Sequence, residues 1–268
     1  MQKQQTVIKQ GGHTLRVSIF GELIDETPCI VLLHGGLDSL DTWKGFPEAI
    51  AKKTGLAVVA YERFGHGKSG QLTKIRETDY RHHEAGTVLP ALLREWGIKK
   101  VILVGHSDGG AIALMAAACI PDRVVGICAI APPLVPNSTV REGIKRAIDD
   151  YENSNLAAKL SVYHGDATEA LFYGWANAWL SKAFDHWSCV EELKKISCPV
   201  LLVFGQADDY GYQESLSLLQ THLVHPAEEL LLEGVGHMPH HYAREETIEG
   251  IVKLIKKCES VYGFKTLH

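Results

Sequence analysis

Short apolar runs recur along the chain, and each is followed by a turn and then by a longer amphipathic stretch. Runs of about four to eight β-rich apolar residues have the length of strands buried on both faces. Their alternation with helices is typical of a parallel sheet covered on both sides. Strands are predicted at 29–33, 56–60, 101–104, 124–130 and 200–204. Helices are predicted at about 46–54, 78–96, 109–120, 212–224 and 243–257.

Two regions depart from this alternation. Residues 6–20 hold β-branched residues around a Gly-Gly pair, which predicts an antiparallel hairpin at one edge of the sheet. Residues 132–195 contain helical, tryptophan-rich sequence without a strand pattern. We therefore expect an α/β fold in which 1–131 and 196–268 form a mostly parallel central sheet with helices on both faces. Residues 132–195 are expected to form a helical cap insertion over the end of the sheet where open α/β folds bind ligands. A pair of core helices is the alternative interpretation.

Composition and charge narrow the class of partner. The chain has 268 residues, of which 46% are hydrophobic, so it is long enough to bury one large core. Its formal charge is −5, and its basic residues are scattered rather than clustered. Such a surface favours neither nucleic acid nor an anionic membrane, and it fits a small-molecule substrate better. No feature of the sequence indicates the oligomeric state.

The N-terminal residues and the cysteines indicate in which cellular compartment the protein is expected. The first residues are polar, and no apolar stretch of about 18 residues follows, which predicts a cytoplasmic protein without membrane association. The six cysteines lack C-x-x-C spacing, so no zinc site or redox motif is indicated. Most of them are expected to be small buried residues in a reducing compartment, with disulfide pairing as the less favoured alternative.

The first candidate for chemistry is a serine. Residues 105–109, GHSDG, match G-x-S-x-G. They directly follow a predicted strand and precede a helix of small residues, which is the context of a nucleophile elbow. A Cβ on either flanking glycine is expected to clash in such a tight turn. The motif therefore predicts a nucleophilic Ser107, and a plain glycine-rich loop is the alternative.

A serine hydroxyl needs an adjacent base, which an acid must orient. Chain order in this kind of fold predicts the acid and then the histidine after Ser107. Two carboxylates, Asp208 and Asp209, follow the strand at 200–204. His237 follows the apolar run at 230–232, and its spacing from two nearby glycines favours it over His240, which we expect to be a packing neighbour.

These features together resemble the α/β-hydrolase superfamily, in particular its capped esterases and related serine hydrolases. The resemblance spans nearly the whole chain and rests on five motifs: His34-Gly35-Gly36, the run 63–69, the serine motif, Gly205-x-x-Asp208 and Gly234-x-Gly236-His237. It implies that Asp208 is the acid, because the family's acid lies three residues after the glycine that ends the strand.

Acyl transfer also needs N–H donors for the developing oxyanion. The amide of Asp108, directly after the nucleophile, is one candidate, and the resemblance implies Gly36 as the second. The run 63–69 is expected to be architectural. The resemblance further implies an enzyme without cofactor or metal. A metal site formed by His237, His240 and His241 is disfavoured, because no other ligand cluster accompanies them.

The expected function is that of a carboxylesterase-like serine hydrolase, which cleaves an ester or related acyl bond of a small, partly apolar substrate through an acyl-enzyme. Alternatives in the same family are hydrolysis of a carbon–carbon bond and thioesterase, perhydrolase, acyltransferase or hydroxynitrile lyase activity. A non-catalytic ligand-binding protein on the same fold is an alternative from another class. Three tryptophans of the insertion either line the pocket or attach the insertion to the sheet: Trp175, Trp179 and Trp187.

Overall fold

The computed structural model describes residues 3–10, 12–70 and 78–266. In these residues one eight-stranded sheet has the strand order β1-β2-β4-β3-β5-β6-β7-β8. The pairs β1–β2 and β2–β4 are antiparallel, and the other neighbours are parallel. The strands are β1 Lys3–Gln10, β2 His13–Phe20, β3 Cys29–Leu33, β4 Val58–Tyr61, β5 Val101–His106, β6 Val124–Ile130, β7 Val200–Gly205 and β8 Glu228–Leu232.

Helices cover both faces of the sheet. Neighbouring residues of β3, such as Ile30 and Val31, belong to separate apolar clusters, because successive side chains of a strand point to opposite faces. This arrangement confirms the predicted fold class. The helices are α1 Phe46–Thr54, α2 Tyr80–His83, α3 Leu89–Glu95, α4 Asp108–Cys119, α5 Ser138–Asn153, α6 Leu156–His164, α7 Thr168–Leu180, α8 Val190–Leu193, α9 Gln213–His222, α10 Pro239–Tyr242 and α11 Arg244–Tyr262.

The predicted helix at 78–96 is interrupted. A π-helical turn at Glu84–Val88 separates α2 from α3. Pro90, in the first turn of α3, has no N–H to donate to the preceding turn, so the regular hydrogen-bond ladder cannot run through this point. Apolar spacing indicates the helix but not this local widening.

The segment between β6 and β7 contains α5 to α8 and lies against loops at the carboxyl ends of the strands. Gly143 of α5 packs so closely on Tyr210 that a Cβ at this glycine would overlap the ring. Arg146 donates to the Asp209 carbonyl over 2.6 Å. His164, the last residue of α6, donates from Nε2 to the Leu37 carbonyl over 3.0 Å. The inserted helices therefore contact the loops that follow both β3 and β7.

Two further expectations concern the surface and the cysteines. Within the described ranges, no helix is both long and apolar enough to cross a membrane. All six cysteines are free thiols, and Cys119 is the exposed one among them. Burial raises the pKa of the Cys128 thiol beyond its usual range and that of Cys29 to about 12, so these two side chains behave as small apolar groups.

Candidate active site

Ser107 lies in a strained turn between β5 and α4. Its φ of 51° is in the left-handed region, which non-glycine residues rarely adopt. A Cβ at Gly105 would overlap the Gly109 carbonyl, and a Cβ at Gly109 would overlap the carbonyl of Leu33 in β3. Glycine at both positions therefore allows the turn to pack against β3 and hold the hydroxyl above the sheet.

Hydrogen bonds join Ser107 to the predicted base and acid. His237 Nε2 lies 3.0 Å from Ser107 Oγ, and His237 Nδ1 lies 2.7 Å from Asp208 Oδ2. The other carboxylate oxygen of Asp208 accepts the Tyr210 N–H over 2.9 Å. Because a carboxylate only accepts, the imidazole proton lies on Nδ1, and Nε2 is free to accept the serine proton.

The two adjacent carboxylates point to different environments. The side chain of Asp208 is 1% exposed and contacts His237. Asp209 is exposed, and its backbone carbonyl accepts the hydrogen bond from Arg146. The structure thus brings Asp208, and not the Asp209 carboxylate, to the histidine.

His240 lies close by without joining this chain of hydrogen bonds. Its ring is buried and packs at a tilt against those of His106 and Trp43, with centroids 4.4 Å and 5.0 Å away. Burial lowers the pKa of His240 well below its usual value, so the ring is neutral. In the described part of the chain, no group of three or more His, Cys, Asp or Glu side chains is arranged to hold a metal ion.

The loop after β3 is held from outside by side chains that bind its carbonyls. The donors are Arg63 to both His34 and Gly35, His66 Nε2 to Gly36, and His164 Nε2 to Leu37. The run 63–69 therefore supports this loop directly. The N–H groups of Gly36 and Asp108 have no acceptor among the described residues, and both residues line the cavity at Ser107. Two free donors beside the predicted nucleophile are what an oxyanion hole requires.

Asp108 also carries a buried ion pair that sequence reasoning missed. Its Oδ1 accepts from Arg81 Nη2 over 2.5 Å, and its Oδ2 accepts from the Tyr80 hydroxyl over 2.5 Å. Burial alone would raise the pKa of Asp108, but the positive charges of Arg81 and Arg63 outweigh it and lower this pKa. The Arg81 guanidinium lies over the ring of Trp179, 4.4 Å from its centroid. Arg81 therefore neutralises a buried carboxylate next to Ser107.

The variant Arg81→Leu is expected to lower the free energy of unfolding by about 3–5 kcal/mol, because it leaves the buried Asp108 carboxylate unpaired. Urea denaturation followed by tryptophan fluorescence measures this loss. Lys257→Leu is the control, since Lys257 pairs with Glu228 at the surface, both side chains are more than two-fifths exposed, and such surface pairs contribute about 0–1 kcal/mol. Equal losses in the two variants would contradict the role given to the buried pair.

A cavity of about 130 Å³ opens beside Ser107. Cavities of about 150 Å³ hold a benzene-sized group. Trp175 and Trp179 line this cavity, whereas Trp187 stacks on Phe184 with centroids 5.0 Å apart. Trp175 and Trp179 thus meet the expectation that the tryptophans line the pocket, whereas the Trp187 stacking lies within the insertion and does not attach it to the sheet. Other apolar lining residues include Leu37, Pro132, Val140, Ile144 and Met238.

Comparison with known proteins identifies the family. The Alpha/beta hydrolase family model matches residues 30–249, and the chain belongs to this family of hydrolase enzymes. A bifunctional esterase/perhydrolase of Acinetobacter calcoaceticus is 28% identical over 213 residues, which cover 68% of this chain and 75% of that protein. A 2-hydroxy-6-oxononadienedioate/2-hydroxy-6-oxononatrienedioate hydrolase of Klebsiella pneumoniae is 27% identical over 231 residues, which cover 76% and 78% of the two chains.

Solved structures agree on the fold. The 2-hydroxy-6-oxo-6-phenylhexa-2,4-dienoate hydrolase from Rhodococcus sp. strain RHA1 superposes with a TM-score of 0.81 and 18% sequence identity. The match covers 95% of this chain and 99% of that structure. At this identity the likeness shows a shared fold, whereas the reaction depends on the side chains of the site.

Proposed function

We propose that the protein is a serine hydrolase that cleaves an ester or related acyl bond of a small, partly apolar molecule. The observation that carries this proposal is the continuous hydrogen-bond chain from Ser107 through His237 to Asp208 at the floor of an apolar cavity. Residues 132–195 would act as a cap domain that supplies part of the cavity wall.

In the proposed reaction, Ser107 Oγ attacks the acyl carbon while His237 Nε2 takes its proton. The N–H groups of Gly36 and Asp108 stabilise the oxyanion, and Asp208 stabilises the imidazolium. The carbon–oxygen bond of the ester then breaks, and His237 returns the proton to the leaving alcohol. Water, deprotonated by His237, attacks the acyl carbon of the acyl-enzyme. The bond from this carbon to Ser107 Oγ breaks, His237 returns the proton to Oγ, and the carboxylic acid leaves. No cofactor or metal takes part in this sequence.

The charges around the cavity favour an uncharged acyl group. Both carboxylates that line it are already paired, Asp38 with His106 and Asp108 with Arg81. The described lining residues include no lysine or arginine. The Klebsiella pneumoniae relative is named for dienedioate substrates, which carry two carboxylates. An ester with an uncharged acyl group therefore fits this lining better than a dicarboxylate whose carbon–carbon bond is to be cleaved.

A fluorophosphonate probe tests the proposal, because it phosphonylates activated serines irrespective of the natural substrate. We expect a single adduct, which peptide mass spectrometry assigns to Ser107, together with steady turnover of p-nitrophenyl butyrate. Turnover is measured alongside labelling because a ligand-binding relative with a slow triad would also label. Folded protein that neither labels nor hydrolyses any p-nitrophenyl ester would refute the proposal.

Cavity size predicts the preferred acyl chain. For a series of p-nitrophenyl esters, kcat/KM is expected to be highest at about four to six acyl carbons and to fall for longer chains, because the cavity holds about one benzene-sized group. Ile144→Ala removes three carbon atoms from the lining and should move the optimum toward longer chains. Val224→Ala, at an exposed position outside the cavity, is the control and should leave the optimum in place. The same optimum in all three proteins would contradict this assignment of the acyl site.

A further inference from the structure

His106, the residue before Ser107, has a hydrogen-bond acceptor at each ring nitrogen. Nδ1 lies 2.9 Å from Asp38 Oδ2, and Nε2 lies 2.9 Å from the backbone carbonyl oxygen of His237. The side chain is 4% exposed, so water cannot readily replace either partner. A neutral imidazole has one N–H and would leave one of these two contacts unsatisfied, whereas an imidazolium donates to both.

The Asp38 carboxylate is arranged to balance this charge. Its Oδ2 also accepts the Gly35 N–H over 3.0 Å, as an ionised carboxylate does. Burial alone would raise the pKa of Asp38, but the hydrogen bond and charge of His106 outweigh it and hold this pKa well below its usual range. For His106, burial opposes the charge, whereas the hydrogen bond and charge of Asp38 prevail and raise its pKa.

The two contacts join three separate segments of the site. His106 ends β5, Asp38 and Gly35 belong to the loop that contains Gly36, and the carbonyl belongs to His237. We propose that His106 is a positioning residue, charged in the folded protein, that fixes the oxyanion loop and the backbone of the catalytic histidine relative to Ser107. The kinetic part of this inference rests on the proposed serine hydrolase function.

The neighbours of His106 are compatible with one buried positive charge. The loop after β3 and the loop after β7 each supply an aspartate, and the histidines of the α10 region pack against the ring. The titratable groups that face His106 are Asp38, Asp208, His237, His240 and His241. His240 is neutral through burial, and therefore it adds no competing charge.

Loss of the two His106 hydrogen bonds should lower the rate of the reaction more than it weakens substrate binding. Val140, Ile144, Trp175 and Trp179, which would hold the acyl group, lie on the inserted helices and not in the segments that His106 joins. The direction of the Gly36 N–H and of the His237 ring depends on those segments. Displacements of about 1 Å in a catalytic group lower rates by as much as about 100-fold. We therefore expect a loss in kcat with little change in KM.

NMR of protein labelled with ¹⁵N-histidine tests the charge without any turnover assay. Fourteen histidines are present, and the His106 signals are those that disappear in His106→Gln. At pH 7, a histidine with the ordinary pKa of about 6.5 is mostly neutral. His106 in the wild-type protein should keep the imidazolium pattern at both nitrogens at this pH and lose it in Asp38→Asn. A neutral tautomer in the wild type, or an imidazolium that persists in Asp38→Asn, overturns the proposal.

Kinetics tests the positioning role. His106→Gln and Asp38→Asn should each lower kcat for p-nitrophenyl butyrate by about 10- to 100-fold and leave KM within about threefold. His240→Gln is the matched control, since this buried ring packs against His106 without bonding the loop after β3 or the His237 carbonyl. Its kcat should stay within about threefold of the wild type. A folded His106→Gln enzyme with wild-type kcat overturns the role. If His106→Gln does not fold, the His106 signals are assigned by through-bond correlation to the backbone in uniformly ¹³C,¹⁵N-labelled protein, and the wild-type and Asp38→Asn spectra then decide without any turnover assay.

Discussion

Ser107→Ala is expected to lower kcat for p-nitrophenyl butyrate by about 10⁶-fold and to abolish fluorophosphonate labelling. The reason is geometric: Ser107 Oγ lies 3.0 Å from His237 Nε2, in a turn whose backbone holds it at the cavity. Alanine keeps the Cβ of serine and therefore adds no new backbone strain at φ 51°. The variant should fold with a melting temperature close to that of the wild type, so the loss of activity isolates the hydroxyl.

Ser217→Ala is the control for this experiment. Ser217 is exposed on α9, outside the residues that line the cavity, and its replacement should leave both labelling and turnover unchanged. Residual turnover within about tenfold of the wild type in Ser107→Ala would show that another group is the nucleophile. Because triad residues act as a unit, adding His237→Ala to Ser107→Ala should cost little more activity.

The layers of the fold follow from local sequence because the parallel strands are buried on both faces. The observed bounds of β3 and β6, Cys29–Leu33 and Val124–Ile130, are those that the apolar runs predict. β4 begins two residues later than predicted, at Val58. Both Leu56 and Ala57, just before it, are buried as well, so burial alone does not mark where strand pairing begins.

The residues of the candidate site that belong to short sequence motifs could be predicted. Gly105 and Gly109, which the turn requires, lie two residues to either side of Ser107. His237 follows β8 and a second pair of glycines, Gly234 and Gly236. Chain order alone left both Asp208 and Asp209 open, because adjacent residues in a turn point in different directions, and Asp208 was selected through the resemblance to the family. In the structure the turn directs the Tyr210 N–H and the His237 ring to the same carboxylate, that of Asp208.

The supporting ion pairs were not predictable, because their partners are distant in sequence. His106 and Asp38 are 68 positions apart, and Arg81 and Asp108 are 27 apart. The sequence does not show which charged side chains become buried, because the tertiary packing decides this. Both pairs attach the residues on either side of Ser107 to other elements, so this turn is held through charge as well as through backbone geometry.

Asp208→Asn is expected to lower kcat by about 10⁴-fold. Asparagine has nearly the same shape and can still accept the Tyr210 N–H through its Oδ1. Its amide nitrogen, however, donates toward His237 Nδ1 and favours the tautomer with the proton on Nε2. That tautomer cannot accept the proton of Ser107, and the variant also lacks the negative charge that stabilises the imidazolium. Rates of p-nitrophenyl butyrate hydrolysis measure the effect.

Asp209→Asn provides a neighbouring control with the same chemical change. Its carboxylate is exposed and does not contact His237, and the Arg146 hydrogen bond goes to its backbone carbonyl, so kcat should stay within about threefold. A larger loss in Asp209→Asn than in Asp208→Asn would reverse the assignment of the acid. The contrast is informative because the two variants differ in which carboxylate the turn directs inward, and not in charge, size or position along the chain.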